Sequence, residues 1–385
     1  MFDFDEIIDR RGTGSLKWNV AEGELPMWVA DMDFRTAPCV TDAIRKRLDH
    51  GIFGYSETPD EWYDAYVNWW KTRHGYEFDR NQLTFCTGVV PAISSIVRKL
   101  TTPNENVLIQ TPVYNIFFNS IVNNGCRAVE SPLVYMNGEY HIDFDDLEKK
   151  MADPQTTLMI LCNPHNPVGR IWSREDLKKI GEAAYRNGVI VIADEIHCDI
   201  TRPGMSYIPF ASVSDICEAV SITCIAPTKT FNIAGIQTAA VFAKDRKLFH
   251  KVWRALNTDE VAEPNAFACD AAVAAFSHGG VWLDELRKYL FDNRDAADEY
   301  LRNYIPSVHS VRGDATYLMW IDISYLSGDS VAFCRSLREN TGLFVSNGRA
   351  YGNTGNGFIR VNIACPKKLM LDGFDRLKRE CEKHV

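Results

Sequence analysis

Hydrophobic positions through the middle of the chain fall into two rhythms. Residues 106–110, 157–162, 189–193 and 221–226 are short unbroken runs rich in Val, Ile and Leu. Runs of that length without alternation predict strands buried on both faces. Between the second and third runs the spacing turns helical. Leu177, Ile180 and Ala184 share one face, Ser173 with Asp176 three residues on is placed to cap the start, and Gly188 marks the end. A further helix is predicted after Pro91, with Ile93, Ile96, Val97 and Leu100 on one side. Strands alternating with amphipathic helices predict βαβ units, hence an α/β fold class with a mostly parallel central sheet.

The last hundred residues follow a different pattern. Residues 281–304 read as one long helix with Leu286, Tyr289, Leu290, Ala297, Tyr300 and Leu301 as its apolar stripe. Strands are predicted at 315–323 and 357–364, and a basic amphipathic helix at 369–382, which together make an α+β unit. A chain of 385 residues is long for one core, so two domains are expected. The plan is a large domain over 49–280, a smaller one over 281–385, and an N-terminal segment, 1–48, contributing to the smaller. Trp62, Tyr66, Trp69 and Trp70 are expected to form a packed helix face.

Composition narrows the class. With 42 basic and 51 acidic side chains the formal charge is −9, which argues against a broad nucleic-acid surface. The N-terminus is acidic from its third residue, unlike a secretory or transit signal. No apolar run approaches the roughly 20 residues that span a bilayer. The 11 cysteines are scattered, odd in number and without a C-x-x-C pair, which fits reduced thiols better than a disulfide frame or a zinc site. The expectation is a soluble cytoplasmic protein without membrane, nucleic-acid or metal partners.

Candidate chemistry collects just past the predicted strands, where ligands bind in open α/β sheets. Lys229 follows the fourth run, between Thr228 and Thr230. Asp194 ends the third, and a carboxylate buried there needs a partner; a protonated pyridine nitrogen is one, and a metal or a helix cap are others. Asn163-Pro-His-Asn-Pro-Val-Gly169 follows the second run, and its two Asn-Pro pairs would fix the Asn166 amide. In Thr87-Gly-Val-Val-Pro91, free backbone N–H groups of Gly88, Val89 and Val90 at a helix start could hold a phosphate. Alternation in 358–364 places Arg360 and Asn362 opposite Ile359, Val361 and Ile363. Arg360 calls for a carboxylate, either structural or that of an amino-acid substrate. Tyr114 could stack on a flat ring.

In this order these residues resemble fold-type I pyridoxal-phosphate enzymes of the class I/II aminotransferase superfamily. Within it the chain looks most similar to MalY/PatB-type cystathionine β-lyases. The strings that carry the likeness are Leu25-Pro-Met-Trp-Val-Ala-Asp-Met-Asp-Phe34, Asp194-Glu-Ile-His197, Thr228-Lys-Thr-Phe-Asn-Ile-Ala-Gly235 and Asn362-Ile-Ala-Cys-Pro366. The resemblance implies that Lys229 carries pyridoxal 5′-phosphate as a Schiff base and later moves protons. It implies that Asp194 pairs with the pyridine nitrogen, Asn166 with the ring oxygen, and Tyr114 stacks on the ring. Gly88, Val89 and Val90 amides and Thr228 would hold the phosphate, and Arg360, with Asn166, the substrate carboxylate. Tyr55 would reach the phosphate of a neighbouring subunit, implying a homodimer with shared sites. Two positions depart from the aminotransferase pattern: His197 stands where a tyrosine is common, and Gln237 where many members carry a phosphate-binding arginine.

The implied reaction is α,β-elimination on an L-cysteine S-conjugate such as L-cystathionine, giving homocysteine, pyruvate and ammonia. Lys229 or Tyr55 would protonate the leaving thiolate. An aminotransferase using the same site is the alternative, and a regulatory binding protein that retains the site is a further one.

Overall fold

The computed structural model of the chain describes residues 2–384. Its centre is a sheet of seven strands. In chain order they are β1 (Leu83–Cys86), β2 (Asn106–Ile109), β3 (Arg127–Glu130), β4 (Thr156–Cys162), β5 (Ile190–Asp194), β6 (Ser221–Ile225) and β7 (Ala239–Phe242). Across the sheet they lie β1-β7-β6-β5-β4-β2-β3. Only β7 runs antiparallel to its neighbours, so the expected mostly parallel α/β sheet is present. The four strands predicted from apolar runs are β2, β4, β5 and β6, side by side in the sheet and each within one residue of the predicted ends. Edge strand β3 is half-exposed and so carries no unbroken apolar run.

The helices follow their punctuation. The aromatic face predicted near Trp62 is α1 (Asp60–Trp69), continued by a π-turn over Trp70–His74. Its four aromatic rings are buried, and Tyr66 and Trp69 pack on Phe276 at 4.8 and 5.0 Å between ring centroids. Helix α2 (Val89–Leu100) begins two residues before Pro91. Gly88 caps it, and its carbonyl accepts the Ala92 N–H at 3.0 Å. Proline is tolerated in that first turn because the N–H groups there have no intrahelical acceptor to lose. Helix α3 (Arg174–Asn187) has the capping box of Ser173 and Asp176 at one end and Gly188 at φ 67° at the other, as its sequence predicts.

Helix α4 (Gly280–Tyr304) is a single 25-residue element. Its first half, through Trp282, Leu286 and Leu290, packs into the aromatic core beside the large sheet. Its second half, through Ala297 and Leu301, packs into the core of a second, antiparallel sheet. That sheet contains β8 (Leu318–Asp322) and β9 (Phe358–Asn362), flanked by two-residue strands, and is backed by α5 (Lys367–Cys381). The predicted strand at 315–323 is trimmed because Thr316 adopts φ 64°, a conformation outside the pleat.

The N-terminal segment touches both bodies. Leu25–Pro26 pairs in parallel with Leu343–Phe344, and Trp18, Leu25 and Met27 join the core of the second sheet. Phe4, Phe34 and Val40 join the aromatic core instead. Between those anchors, residues 28–34 pass over the carboxyl ends of the large sheet. Among the described residues no helix is long and apolar enough to cross a membrane.

Candidate active site

The carboxyl ends of β4, β5 and β6, the segment after β2 and the first turn of α2 enclose a cavity of about 280 Å³. Parallel strands bring their following loops to one side of a sheet, so residues far apart in sequence meet there. Tyr114, Asn166, Asp194, His197, Thr228 and Lys229 all line this cavity, together with Gly88, Val89 and Val90 at the start of α2. Asp194 is the last residue of β5. Lys229 lies in a single helical turn, Pro227–Thr230, directly after β6. The turn that carries Asn166 is tied to the strand beside it, Asn163 N–H donating to the Asp194 carbonyl at 3.0 Å.

Burial sets the charges of the site. The Lys229 ammonium is withdrawn from water in the cavity wall and feels the Arg360 guanidinium, and these two effects lower its pKa from 10.5 to about 8. Its Nζ donates to the Ala30 carbonyl at 2.6 Å. Burial raises Asp194 from 3.8 to about 7, against the opposing influence of the Ile196 N–H and of Lys229. Among the described residues its carboxylate accepts one hydrogen bond, from that Ile196 N–H at 3.1 Å, and has acceptor capacity left for a cationic partner. His197 is pushed down to about 3 by burial and by the cations of Lys229 and Arg360, so its imidazole is neutral, and among the described residues its Nδ1 has no hydrogen-bond partner. Neighbouring Thr230 is pinned by its Oγ1 donating to Asp199 at 2.9 Å.

Arg360 enters from β9. The alternation predicted for that strand holds: Ile359, Val361 and Ile363 face the core of the second sheet, while Arg360 points at the cavity wall. Its Nη1 donates to Asn166 Oδ1 at 3.2 Å and its Nη2 to the Trp28 carbonyl at 2.9 Å, and its Nε is buried without a partner. Among the described residues no carboxylate forms an ion pair with it, so the structural partner that the sequence left open is not found there. Tyr55 is fully exposed, at 102%, and does not line the cavity of its own chain. Among the described residues Asp194 belongs to no group of three or more potential metal ligands. The His/Cys/Asp cluster among the described residues is His74, Cys198 and Asp199, and the Asp199 carboxylate there is occupied by Trp69, His74 and Thr230.

Two participants escape sequence reasoning. The Ala30 carbonyl lies on Lys229, and the buried Tyr317 hydroxyl donates to the same carbonyl at 3.0 Å. A backbone carbonyl has no side-chain signature, and Tyr317 reads as one more apolar position of a strand.

The sequence profile of the family described as aminotransferase class I and II matches residues 23–377. The chain belongs to that family. It is 44% identical over 384 residues to cystathionine beta-lyase PatB of Bacillus subtilis, covering 98% of this chain and 99% of the relative. It is 32% identical to protein MalY of Escherichia coli, covering 97% of each. Among solved structures, the PLP-bound C-S lyase of Staphylococcus hominis superposes with a TM-score of 0.93 at 35% identity, over 99% of this chain and 98% of that one. The match to the MalY/PatB branch of the class I/II superfamily, read from sequence strings, is therefore found over the full length.

The cavity fits the cofactor of this family. Among the described residues Asp194 forms no ion pair and His197 Nδ1 has no hydrogen-bond partner, Gly88, Val89 and Val90 at the start of α2 line the cavity, and Lys229 supplies an amine of lowered basicity.

Proposed function

We propose that the chain is a pyridoxal-phosphate-dependent carbon–sulfur β-lyase that eliminates thiol from L-cystathionine or a related L-cysteine S-conjugate, leaving pyruvate and ammonia. The observation that carries this reading is a cavity lined by Lys229 and Asp194, with Arg360 behind its Asn166 wall, in a chain 44% identical to a cystathionine β-lyase. Bound pyridoxal phosphate supplies an electron sink for the substrate Cα. Each remaining task falls to a residue of this chain.

In this reading Asp194, at the end of β5, holds the pyridine nitrogen in its protonated form, which replaces the cation that burial denies the carboxylate. Gly88, Val89 and Val90 amides and the Thr228 hydroxyl take the phosphate, helped by the positive end of α2. Gln237 lines the same cavity and adds no charge, so the amides carry that load. Tyr114 covers the ring, and Asn166 and neutral His197 face its oxygen. Arg360 binds the substrate carboxylate through the donors that no protein carboxylate claims, with Asn166 fixing its Nη1. Lys229 withdraws the Cα proton. A base must be neutral to do so, and burial together with Arg360 brings the lysine to that state near pH 8. Lys229 or Tyr55 protonates the departing sulfur.

Tyr55 faces outward together with exposed Ile52 and Phe53. We therefore propose a homodimer in which this segment completes the site of a second copy. The eleven free cysteines support a cytoplasmic setting. We also propose the domain plan of 49–280 and 281–385, with 1–48 contributing to the smaller; α4 packs into both cores.

The test is incubation with L-cystathionine. Pyruvate, ammonia and free thiol should appear in equal amounts. Accumulation of pyridoxamine phosphate without thiol would instead identify an aminotransferase. A second expectation concerns Arg360→Lys. It keeps the charge and loses the planar fork, so KM should rise about tenfold or more while kcat changes less; initial rates across substrate concentrations measure both.

A further inference from the structure

The strap of residues 28–34 has no regular secondary structure, yet most of its carbonyls accept hydrogen bonds, as backbone withdrawn from water requires. Two asparagines supply five of the strap's hydrogen bonds, beside contacts from Lys17, Arg10, Ser346 and the Ala364 carbonyl. Asn362 Nδ2 donates to the Val29 and Asp31 carbonyls, both at 2.6 Å. Asn232 Oδ1 accepts the Met32 N–H at 2.9 Å, and its Nδ2 donates to the Met32 and Phe34 carbonyls at 3.0 and 2.9 Å. The carbonyls on either side of Val29 turn the other way, into the site. Trp28 O lies on Arg360 at 2.9 Å, and Ala30 O on Lys229 at 2.6 Å.

Each asparagine lies within three residues of the group it serves. Asn232 is three residues past Lys229, and Asn362 two residues past Arg360 on β9. Asn232 adopts φ 55°, a left-handed conformation open to Gly and Asn. Glycine would meet the backbone requirement there, but only asparagine adds an amide that reaches the strap. We propose that Asn232 and Asn362 are positioning residues of the lyase reaction. By gripping residues 29–34 they hold the Ala30 carbonyl on Lys229 and the Trp28 carbonyl on Arg360, so that base and carboxylate clamp keep a fixed separation.

The physical need is clear from the side chains concerned. Lysine has a flexible four-carbon stem with many rotamers, and a fixed acceptor selects one of them. The Ala30 carbonyl is itself immobilised, because Tyr317 donates to it from the opposite body at 3.0 Å. The inference rests on the lyase reading of this site, and it divides the labour: Asn232 serves the lysine and should act on kcat, whereas Asn362 serves the arginine and should act on KM.

The test uses full-length cofactor-loaded enzyme with L-cystathionine, and hydrogen exchange on the cofactor-free protein. Asn232→Gly keeps the backbone conformation and removes the grip. It should lower kcat about tenfold with KM within about twofold. Asn362→Ala should raise KM about tenfold with a smaller change in kcat. In both, amide exchange in residues 28–34 should accelerate at least about tenfold while the large sheet stays protected. Should Asn362→Ala fail to fold, Asn232→Gly decides alone. Unchanged kcat and unchanged exchange in Asn232→Gly would overturn the proposal, as would equal losses in kcat and KM for both variants. Failure of wild-type enzyme to release thiol would refute the lyase reading instead, and the exchange measurement would then decide whether the asparagines hold the strap.

Discussion

Lys229→Ala should fold and bind ligands but turn over L-cystathionine at least about 10⁴-fold more slowly than wild type, because it loses both the covalent anchor and the general base. Among the described residues the side chain's one hydrogen bond is to the Ala30 carbonyl, and its removal relieves a desolvated cation, so little stability should be lost. The remaining protein should also lack the visible absorption that a lysine-bound cofactor gives. The measurement is pyruvate release over time against wild type, with circular dichroism as the control for folding. Retention of a tenth of wild-type activity would end the assigned role. The pH dependence follows from the same residue. The acting form is the neutral amine, and its pKa is lowered to about 8 by burial and by Arg360. The rate should therefore climb as pH rises toward 8 and level above it. Arg360→Gln removes the neighbouring cation and should move that rise to higher pH.

Both chemistry and fold were most legible where a single physical rule acts locally. Unbroken apolar runs located β2, β4, β5 and β6 because a strand covered on both faces has no polar side to show. The capping box of Ser173 and the Gly188 terminus located α3 because orphan helix ends need those residue types. Alternation in β9 put Arg360 on the correct face. The positions that escaped depend on tertiary partners. Helix α2 starts before Pro91 because Gly88 provides the cap, a choice that periodicity does not encode. Lys229 and Ala30 are 199 residues apart, and what joins them is a backbone carbonyl. Tyr55 could be read as a site residue only by resemblance, since in its own chain it faces away from the cavity. The individual site residues were weak signals apart; the fold gives them force by bringing the loops after β4, β5 and β6 into one space.

Asp194→Asn should separate the stability of the protein from its chemistry. Burial raises the carboxyl from 3.8 to about 7, the reverse of the shift in a salt-bridged aspartate. Below pH 3.8 the carboxyl is neutral folded and unfolded, and it contributes nothing. As pH rises through the window from about 4 to 7, the unfolded chain releases the proton first, and the folded state loses stability. Above about 7 the penalty is complete, at most about 4 kcal/mol for a shift of this size. Asparagine never ionises, so cofactor-free Asp194→Asn should be more stable than wild type at pH 7.5, by on the order of 1–3 kcal/mol in chemical denaturation. The two proteins should converge below pH 4. Catalysis should move the opposite way. A neutral amide cannot hold the pyridine nitrogen in its protonated form, so the electron sink weakens and kcat should fall about 10²–10³-fold, the scale seen when a preorganised electrostatic partner is removed. Cofactor binding should in turn stabilise wild type more than the variant, because only in wild type does it bring a cation to a buried carboxylate. Equal stability at pH 7.5 would show that Asp194 is already satisfied within the protein, and near-normal kcat would show that its charge is not used.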